Sequence, residues 1–548
     1  MTGRERSAWI AAQSDLTRRH PTENALPVLS LAYGLSRLAF RLRSFCASPL
    51  DAAAAEATIG QRLASRGAAV LHLVERLLRD PRSPYHALFR AAGCEMGDVR
   101  ALVARDGVEA ALHALALAGV YVSFDEFKGR TPIVRGAETA HVSDRDFDNP
   151  LIPGDFSSTS GGTHGRPRRI LIDLDYLADT APGWAVWFAA HDWLARPLVF
   201  VTPIYPGIAG RQLRCIRFGK PYDAWFATGD GTSAGYRLVS AYLTRLIRWR
   251  TGVPAPERVA LGELGPVARR LADMVASGPP PCVSTPPSTA ARIAVAAGRQ
   301  GRSLAGVCFL LGGEPVTLAR RQTIEASGAR AFATYGTSEI GPIGVQCARS
   351  PETDGVHLFQ DGVAVVSRAR RLASGETVDA LLVTALLPTC PKLMLNVEIG
   401  DYGTLEDRVC GCRLGELGYG RHLHSIRSFE KLTGEGATIH VADLHRVLEE
   451  VLPRRFGGTS TDYQLLEEQT PRGLPRYVLL VSPEVGAIDD RTLMRVFLEE
   501  VGRLRRPYPF MLDQWAQGDA VRIRRERPRP TSRGKLASFR TLGLDARA

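Results

Sequence analysis

The spacing of apolar positions changes near residue 121. Before it, alanine-rich stretches at 51–66, 70–78 and 108–118 place apolar residues three and four positions apart, which is the spacing of helices. After it, short apolar runs separated by Gly and Pro are typical of strands, at 170–174, 198–205, 306–313, 332–336 and 380–387. Stretches with helical spacing alternate with these runs, at 242–249, 266–275 and 288–297. Strands that alternate with helices predict an α/β core with a largely parallel sheet.

A last unit with a different pattern begins near Ser425. It contains predicted helices at 442–451 and 490–504 and a predicted strand at 477–481, followed by a basic tail, which indicates a small α+β domain. A chain of 548 residues is long enough for two or three domains. We predict three parts, which are a helical N-terminal region, a core domain and a C-terminal lid domain, at 1–120, 121–424 and 425–548.

The composition is that of an ordinary globular protein, with 45% apolar and 23% charged residues. Residues 1–19 carry charges and no apolar segment, and the richest apolar run, 184–208, is interrupted by Pro and charged residues. Neither a signal peptide nor a membrane span is therefore predicted, and we expect a cytoplasmic protein. The nine Cys then argue against a disulfide framework.

The formal net charge is +12, from 69 Lys and Arg against 57 Asp and Glu. Such a charge attracts polyanionic substrates such as ATP or coenzyme A. A nucleic-acid surface built on the arginine-rich stretch 522–533 is the alternative, but no recognised nucleic-acid motif accompanies it.

The stretch from Ser157 to Arg169, SSTSGGTHGRPRR, is rich in glycine, hydroxyl and basic residues. Such a loop can turn several N–H donors toward one anion, and its arginines add charge-assisted hydrogen bonds. The loop lacks the G-x-x-x-x-G-K-(S/T) pattern of a Walker A motif. It predicts a phosphate-binding loop, and a Ser/Gly linker is the alternative. The candidate residues are Ser160, Gly161, Gly162, Thr163, Gly165 and Arg166.

A second stretch joins two predicted strand ends, where the strands of a parallel sheet meet a ligand. The first end carries Gly312, Gly313 and Glu314, and the second is Tyr335-Gly336-Thr337-Ser338-Glu339. Here the tyrosine can stack on a base, Thr337 or Ser338 can bond a phosphate, and the glutamate can hold Mg²⁺. Taken singly, each of these residues has an ordinary alternative, because the tyrosine can be a core residue and the glutamate a solvated one.

Two shorter motifs follow. Gly400-Asp401 places a carboxylate after a predicted strand, where it can bind a ribose diol, and a turn aspartate is the alternative. Gly534-Lys535 places a lysine near the C-terminus. By itself it is one more cation in a basic tail.

In this order and at these separations, the four stretches resemble the motifs of the adenylate-forming superfamily, which includes acyl- and aryl-CoA ligases and peptide-synthetase adenylation domains. Within it, the branch of phenylacetate–CoA ligase and coenzyme F390 synthetase is the most similar. The phosphate loop of the family, (S/T)-S-G-(S/T)-T-G-x-P, aligns without gaps with residues 160–167, and its Y-G-x-(S/T)-E with 335–339. Its G-D aligns with 400–401 and its C-terminal G-K with 534–535.

The resemblance implies a large AMP-binding domain with parallel-rich sheets and helices, and a small mobile α+β lid. It implies an ATP-dependent ligase that activates a small carboxylic acid as its adenylate and transfers the acyl group to coenzyme A, an amine or a carrier-protein thiol. Lys535 would bridge the acid and the α-phosphate, Glu339 would hold Mg²⁺ and Thr163 the outer phosphates. The remaining implied roles are ribose binding by Asp401 and adenine stacking by Tyr335.

Several positions depart from the family pattern, and three of them bear on whether the chain is catalytically active. Gly161 replaces a hydroxyl residue, Asn396 stands where an Arg is usual, and Phe429 replaces an Asp of the hinge. They leave open a catalytically degenerate homologue that binds nucleotide.

A possible metal site lies outside these motifs. Cys410-Gly-Cys412 presents two sulfurs on one turn, and Zn²⁺ prefers four S or N ligands. The phenylacetate–CoA ligase branch often carries G-x-x-C, G-x-H and C-x-C-G at such places, which implies Cys347 and His357 as the other ligands of a structural zinc. A zinc-bearing nucleic-acid binder is a further alternative. We interpret His422, His424, His440 and His445 as ordinary lid or surface residues.

The acid itself cannot be identified from the motifs, because specificity would lie in side chains between about 180 and 340. Trp184, Trp187 and Phe188, with His191 and Asp192, are candidates to line the substrate pocket. Ordinary core packing is the alternative for all five.

Overall fold

We analysed a computed structural model of the chain. It describes residues 26–47, 49–152, 154–159, 169–228, 234–260, 263–371, 377–428, 431–434, 437–469, 475–503, 521–530, 536 and 538–541.

The N-terminal region is helical, as its apolar spacing predicts. Asp51 caps the second helix, because its side chain accepts the backbone N–H of Ala54 at 2.7 Å. The helices are α1 (Leu26–Ala47), α2 (Ala52–Ala64), α3 (Arg66–Arg79), α4 (Tyr85–Ala91), α5 (Met96–Leu117) and α6 (Phe124–Phe127).

Two antiparallel strand pairs follow these helices. The first joins β1 (Ile133–Arg135) to β2 (Glu138–Ala140). The second joins β3 (Phe156–Thr159) to β4 (Arg169–Ile172), which stand on either side of the predicted phosphate loop in the sequence.

Within the described residues, one large sheet contains twelve strands. They are β5 (Leu198–Thr202), β6 (Ala224–Thr228), β7 (Glu257–Val259), β8 (Cys282–Thr285), β9 (Cys308–Leu311), β10 (Arg330–Thr337), β11 (Gly341–Val345), β12 (Val356–Leu358), β13 (Val363–Arg371), β14 (Thr377–Ala385), β15 (Val397–Asp407) and β16 (Arg421–Ser428). The helices among them are α7 (Leu174–Asp179), α8 (Ala181–Ala189), α9 (Ala209–Arg217), α10 (Ala234–Thr251), α11 (Gly265–Ser277), α12 (Pro287–Arg299), α13 (Leu318–Glu325) and α14 (Arg413–Glu416).

The strand order is β7-β6-β5-β8-β9-β10-β11-β12-β16-β15-β14-β13. Neighbouring strands are parallel from β7 to β10 and antiparallel beyond β10. Every residue of β5, β8 and β9 is buried, which explains their continuous apolar sequences, since helices cover both faces of a parallel sheet. The predicted α/β class is confirmed, and the sheet is mixed.

The N-terminal helices share a hydrophobic core with the sheet. Val70 of α3 and Leu112 of α5 belong to the same buried cluster as Val383 of β14. Asn396 makes the connection polar as well, because its side-chain amide donates to the carbonyls of Leu112 at 2.8 Å and Val120 at 3.1 Å. Asn396 is thus a fully buried structural residue.

The C-terminal unit is a small α+β domain with its own apolar core, as predicted. Its four-stranded sheet has the order β21-β20-β19-β22, and β16 of the large sheet extends across the predicted boundary at residue 425. The strands and helices from residue 431 onward are β17 (Lys431–Gly434), β18 (Ala437–His440), β19 (Tyr463–Gln469), β20 (Pro475–Val481), β21 (Val521–Arg525), β22 (Phe539–Thr541), α15 (Val441–Arg446), α16 (Leu452–Phe456) and α17 (Asp490–Arg503).

Among the described helices, none has both the length and the apolar character that crossing a membrane requires.

We predict that Asn396→Ala destabilises the protein more than Asn396→Gly does. Both variants leave the carbonyls of Leu112 and Val120 without their buried donor, which costs about 2–4 kcal/mol for two lost hydrogen bonds. Asn396 also has a φ of 51°, which Gly adopts without strain and Ala does not. Urea unfolding of both variants measures the two effects. Equal and small losses would contradict a structural role for the amide.

Candidate active site

The carboxyl ends of β9 and β10 lie close together because Gly312, the first residue after β9, has no side chain. A Cβ on Gly312 would lie 2.4 Å from Thr334 Oγ1 and 2.8 Å from Arg211 Nη2. The Thr334 hydroxyl donates to the carbonyl of Leu311 at 2.9 Å. Gly313 follows with a φ of 83°, a conformation that favours glycine. Both glycines therefore shape the end of the parallel sheet, where ligands bind in this class of fold.

The predicted nucleotide motif forms the end of β10 and the turn into β11. The pairing shifts between Tyr335 and Gly336, and a Cβ on Gly336 would lie 2.5 Å from the carbonyl oxygen of Gly341. The hydroxyl of Thr337 accepts the N–H of Ile340 at 3.4 Å. A tight hairpin thus presents this motif beside Gly312 and Gly313.

Two predicted nucleotide residues from separate strands contact each other. The Tyr335 hydroxyl donates to Asp401 Oδ2 at 2.8 Å. Burial, and then the negative charge of Asp401, raise the pKa of Tyr335 well above its ordinary value. Gly400 has a φ of 92°, and a Cβ there would lie 2.7 Å from the Phe124 ring. The backbone before Asp401 therefore needs glycine.

Lys128 is a site residue that the sequence motifs do not reveal. Its Nζ lies 3.8 Å from Glu339, the predicted magnesium ligand, and 4.5 Å from the centroid of the Phe124 ring. Ser338, which precedes the glutamate, is exposed. The local sequence feature that positions Lys128 is the capping box of Ser123 and Glu126. It fixes the start of α6, the short helix whose C-terminal cap is Lys128.

Glu314 contacts the C-terminal domain. One of its carboxylate oxygens accepts the N–H of Leu536 and the hydroxyl of Ser288, both at 2.9 Å. The other pairs with Arg320 at 2.9 Å. Leu536 follows Lys535 directly in the sequence. Glu314 therefore holds the backbone that comes immediately after the predicted catalytic lysine.

Arg320 continues this contact into the lid. Its side chain is 1% exposed and pairs with Glu449 at 2.9 Å, and it also donates to the carbonyl of Leu536 at 3.2 Å. Although burial acts to raise it, the pKa of Glu449 falls to about 2 because of the Arg320 charge and the bonds from His445 and Ser538. These contacts join the two domains through buried charges. His445, interpreted from the sequence as an ordinary lid or surface residue, belongs to this network.

The aromatic residues proposed for the substrate pocket are core residues. Trp184, Trp187 and Phe188 are at most 2% exposed and pack edge to face or tilted against one another. His191 stacks on Trp193 at a centroid distance of 4.2 Å. Core packing therefore explains the positions of these rings, although the Nε1 atom of Trp184 has no hydrogen-bond partner in the described residues. Asp192 has a φ of 55° at the end of the same segment.

Several predicted site residues lie outside the described residues. They are Ser160, Gly161, Gly162, Thr163, Gly165, Arg166, Phe429 and Lys535.

The structure brings the four predicted zinc ligands together. The Nε2 atom of His357 lies 3.4 Å from Cys410 Sγ and 3.2 Å from Cys412 Sγ, and Cys347 Sγ completes a group whose ligand atoms all lie within 4.8 Å of one another. The Nδ1 atom of His357 is 2.6 Å from the carbonyl of Tyr419, which leaves Nε2 for a metal. The donor set fits a closed tetrahedral site.

His422 borders this cluster, and its interpretation from the sequence as an ordinary lid or surface residue is wrong. It is buried, faces His357 across the β12–β16 pairing, and the two Nε2 atoms are 3.2 Å apart. Burial, and then the neighbouring His357, lower the pKa of His422 to about 4. The register of two strands that are distant in sequence is what brings this histidine to the cluster.

Comparisons with known proteins identify the fold. No protein-family model matches the chain, and no curated protein matches it. The solved structure of 2-hydroxyisobutyryl-CoA ligase in the postadenylation state, in complex with 2-HIB-AMP, is 15% identical and aligns over 91% of each chain with a TM-score of 0.50. The complex of that ligase with R3-HIB-AMP gives the same values. Anthranilate CoA ligase AuaEII is 14% identical over 76% of this chain and 70% of its own, with a TM-score of 0.40.

At 15% identity the likeness to 2-hydroxyisobutyryl-CoA ligase shows the fold alone. The chain has the fold of an adenylate-forming ligase, with a large mixed α/β domain and a smaller C-terminal domain.

We predict that Glu449→Gln lowers the free energy of unfolding by about 3–5 kcal/mol at pH 7, because Arg320 then loses a buried ionic partner. The lowered pKa of Glu449 means that its stabilisation is present above the ordinary value of 4.5 and is lost as the pH falls toward about 2. The difference between wild type and variant should therefore narrow below pH 4.5.

Urea unfolding at several pH values measures this difference. Glu499→Gln is the control, because Glu499 forms an exposed pair with Arg495 that is worth about 0.5 kcal/mol or less. A pH-independent difference for Glu449→Gln would contradict the ionic role.

Proposed function

We propose that this chain is an ATP-dependent ligase that activates a small carboxylic acid as an acyl-adenylate, releases pyrophosphate and then transfers the acyl group to coenzyme A, an amine or a carrier-protein thiol. The observation that carries the proposal is the contact of Tyr335 with Asp401 at the carboxyl end of the parallel strands. Two residues that the motifs assign to one nucleotide are 66 positions apart in the sequence and yet share a hydrogen bond.

The nucleotide would bind along the β10–β11 turn. The adenine would lie against the Tyr335 ring, and the ribose hydroxyls would donate to the Asp401 carboxylate. The hydrogen bond from Tyr335 holds that carboxylate in one orientation before ATP arrives, so that little reorganisation is needed on binding.

The phosphates would lie near Glu339 and Lys128. Glu339 offers the single carboxylate with which Mg²⁺ is commonly held beside phosphate oxygens. When bound, the ion would neutralise charge on the phosphates. Lys128 places a positive charge 3.8 Å from Glu339, where it can help to hold the triphosphate.

Attack of the acid carboxylate on the α-phosphate forms the acyl–phosphate bond and breaks the bond to pyrophosphate. Negative charge grows on the phosphoryl oxygens, so preorganised cations and N–H donors would carry the catalysis. The motif match assigns Thr163 with its loop to the outer phosphates and Lys535 to the α-phosphate and the acid. Glu314 and Arg320 would act indirectly, by fixing the chain at Leu536.

The phenylacetate–CoA ligase branch remains our choice within the superfamily, on its motifs and on the Cys/His cluster. We propose that Cys347, His357, Cys410 and Cys412 hold a structural zinc. A zinc ion there would join the ends of β11 and β15 to β12, away from the nucleotide residues. No site in the described residues favours the alternative of a zinc-bearing nucleic-acid binder.

We predict carboxylate-dependent ATP–pyrophosphate exchange with Mg²⁺ for at least one acid in a panel of aryl, fatty and amino acids. Lys535→Ala should abolish the exchange and leave the unfolding curve unchanged, because its charge acts on the transition state. Asp401→Asn should raise the KM for ATP, since it weakens the ribose site.

Exchange that persists in Lys535→Ala would remove this lysine from the mechanism. Absence of exchange together with ATP binding would favour the degenerate nucleotide-binding homologue. Absence of both would contradict the proposed function.

We predict about one zinc ion per chain in protein purified without chelator, because the four ligands complete a closed site. Cys410→Ser and Cys412→Ser should each lose the metal and lower the Tm, whereas the control Cys94→Ser should keep it. Elemental analysis by mass spectrometry measures the content. Metal-free protein that takes up no added zinc would contradict the site.

A further inference from the structure

Two arginines of α9 point to the chemistry of the acid. Arg211 donates from Nη1 to the hydroxyl of Ser284, in β8, at 3.0 Å, and from Nη2 to the hydroxyl of Thr334, in β10, at 3.3 Å. Arg214 lies three positions further along the helix and therefore on the same face. Its Nε donates to the hydroxyl of Thr180 at 2.9 Å.

Neither guanidinium has an acidic partner among the described residues. Their other close contact is Trp184, whose ring centroid lies 5.3 Å from Arg211 and 5.9 Å from Arg214. Arg214 is 6% exposed. Burial lowers the pKa of both groups, to about 10 for Arg214. Arg214 is buried and Arg211 is half-buried, and hydroxyls are the hydrogen-bond partners of both, so this point of the structure is short of negative charge.

The indole of Trp184 adds a third donor. Its Nε1 atom is buried and has no hydrogen-bond partner in the described part of the chain. Buried N–H groups are almost always paired in native proteins, so an unpaired one beside two unpaired cations indicates a place for an acceptor. All three groups offer donors, and a ligand that binds here has to bring oxygens.

The pair lies directly behind the proposed nucleotide site. Thr334, which Arg211 contacts, immediately precedes Tyr335, and the absence of a side chain at Gly312 makes room for the Arg211 guanidinium. Arg214 Nη2 lies 3.7 Å from the position of a Cβ on Gly341, at the end of the same hairpin. Both cations therefore border this hairpin.

We propose that Arg211 and Arg214 bind a second carboxylate of the acid that is activated, so that the substrate is a dicarboxylic acid. This inference rests on the proposed function. The carboxylate that reacts has to lie at the α-phosphate, where Lys535 is its proposed partner. The charges of Arg211 and Arg214 then remain to be neutralised by another group. Arginine binds a carboxylate through two parallel hydrogen bonds, and the remaining N–H groups of Arg211 have no acceptor among the described residues.

The test compares acids in pairs of equal carbon skeleton, succinate with butyrate and phthalate with benzoate, by ATP–pyrophosphate exchange. For one of the pairs we expect kcat/KM to favour the diacid by about 10²-fold or more, because the monoacid leaves buried charges unpaired. Arg211→Met should lower kcat/KM for the diacid by about the same factor and change that for the monoacid less than about threefold. Arg211→Lys should restore part of the preference.

Arg217→Met is the matched control. It lies on the same helix, but its side chain donates to the carbonyl of Phe45, and its loss should leave the preference intact. Equal use of monoacids and diacids by the wild type would overturn the proposal. An increase in the KM for ATP that is the same for every acid in Arg211→Met would overturn it too, because the pair would then serve the phosphates.

Binding separates this proposal from the proposed function. The thermal shift of the wild type with each acid, measured with and without ATP, needs no catalysis and no variant that folds poorly. Stabilisation by a diacid and not by its monoacid, without any exchange, would support the anion site and contradict the ligase. Exchange with monoacids alone would support the ligase and overturn the anion site.

Discussion

The buried guanidinium of Arg320 connects the two domains of this protein. Arg320 pairs with Glu314 in the large domain and with Glu449 in the small one, and all three side chains are at most 5% exposed. Removing one partner of such a group leaves an uncompensated charge away from water, at a cost of about 3–5 kcal/mol. The position of Leu536 depends on this charge balance.

The sequence was a good guide wherever a pattern is local. Strands of the parallel half are continuous apolar runs, and the helices have the expected period, so both could be read directly. The glycine-rich strand ends were also visible, since only glycine fits beside Thr334. The mixed character of the sheet could not be predicted in this way, because antiparallel pairing beyond β10 depends on contacts between distant segments.

The same limit applies to the candidate site. Cys410 and Cys412 could be recognised from their spacing in the sequence, because the C-x-C turn is local. His422, in contrast, joins them only through the pairing of β12 with β16. Lys128 follows a four-residue helix that is far from Glu339 in the sequence. Asn396 looked like a departure from a catalytic pattern and is in fact a buried hydrogen-bond donor to the carbonyls of Leu112, in a helix, and Val120, just after it.

The bridge between Val122 and Val397 affects how the protein folds while the ribosome synthesises it. The N-terminal helices are made first, yet the strand that covers them emerges about 270 residues later, or roughly 14–55 s at ordinary rates of synthesis. Throughout that interval the core that contains Val70 and Leu112 is incomplete, because Val397 belongs to it. A nascent chain in this state is a natural client for chaperones, and slowing translation between these segments would lengthen its exposure.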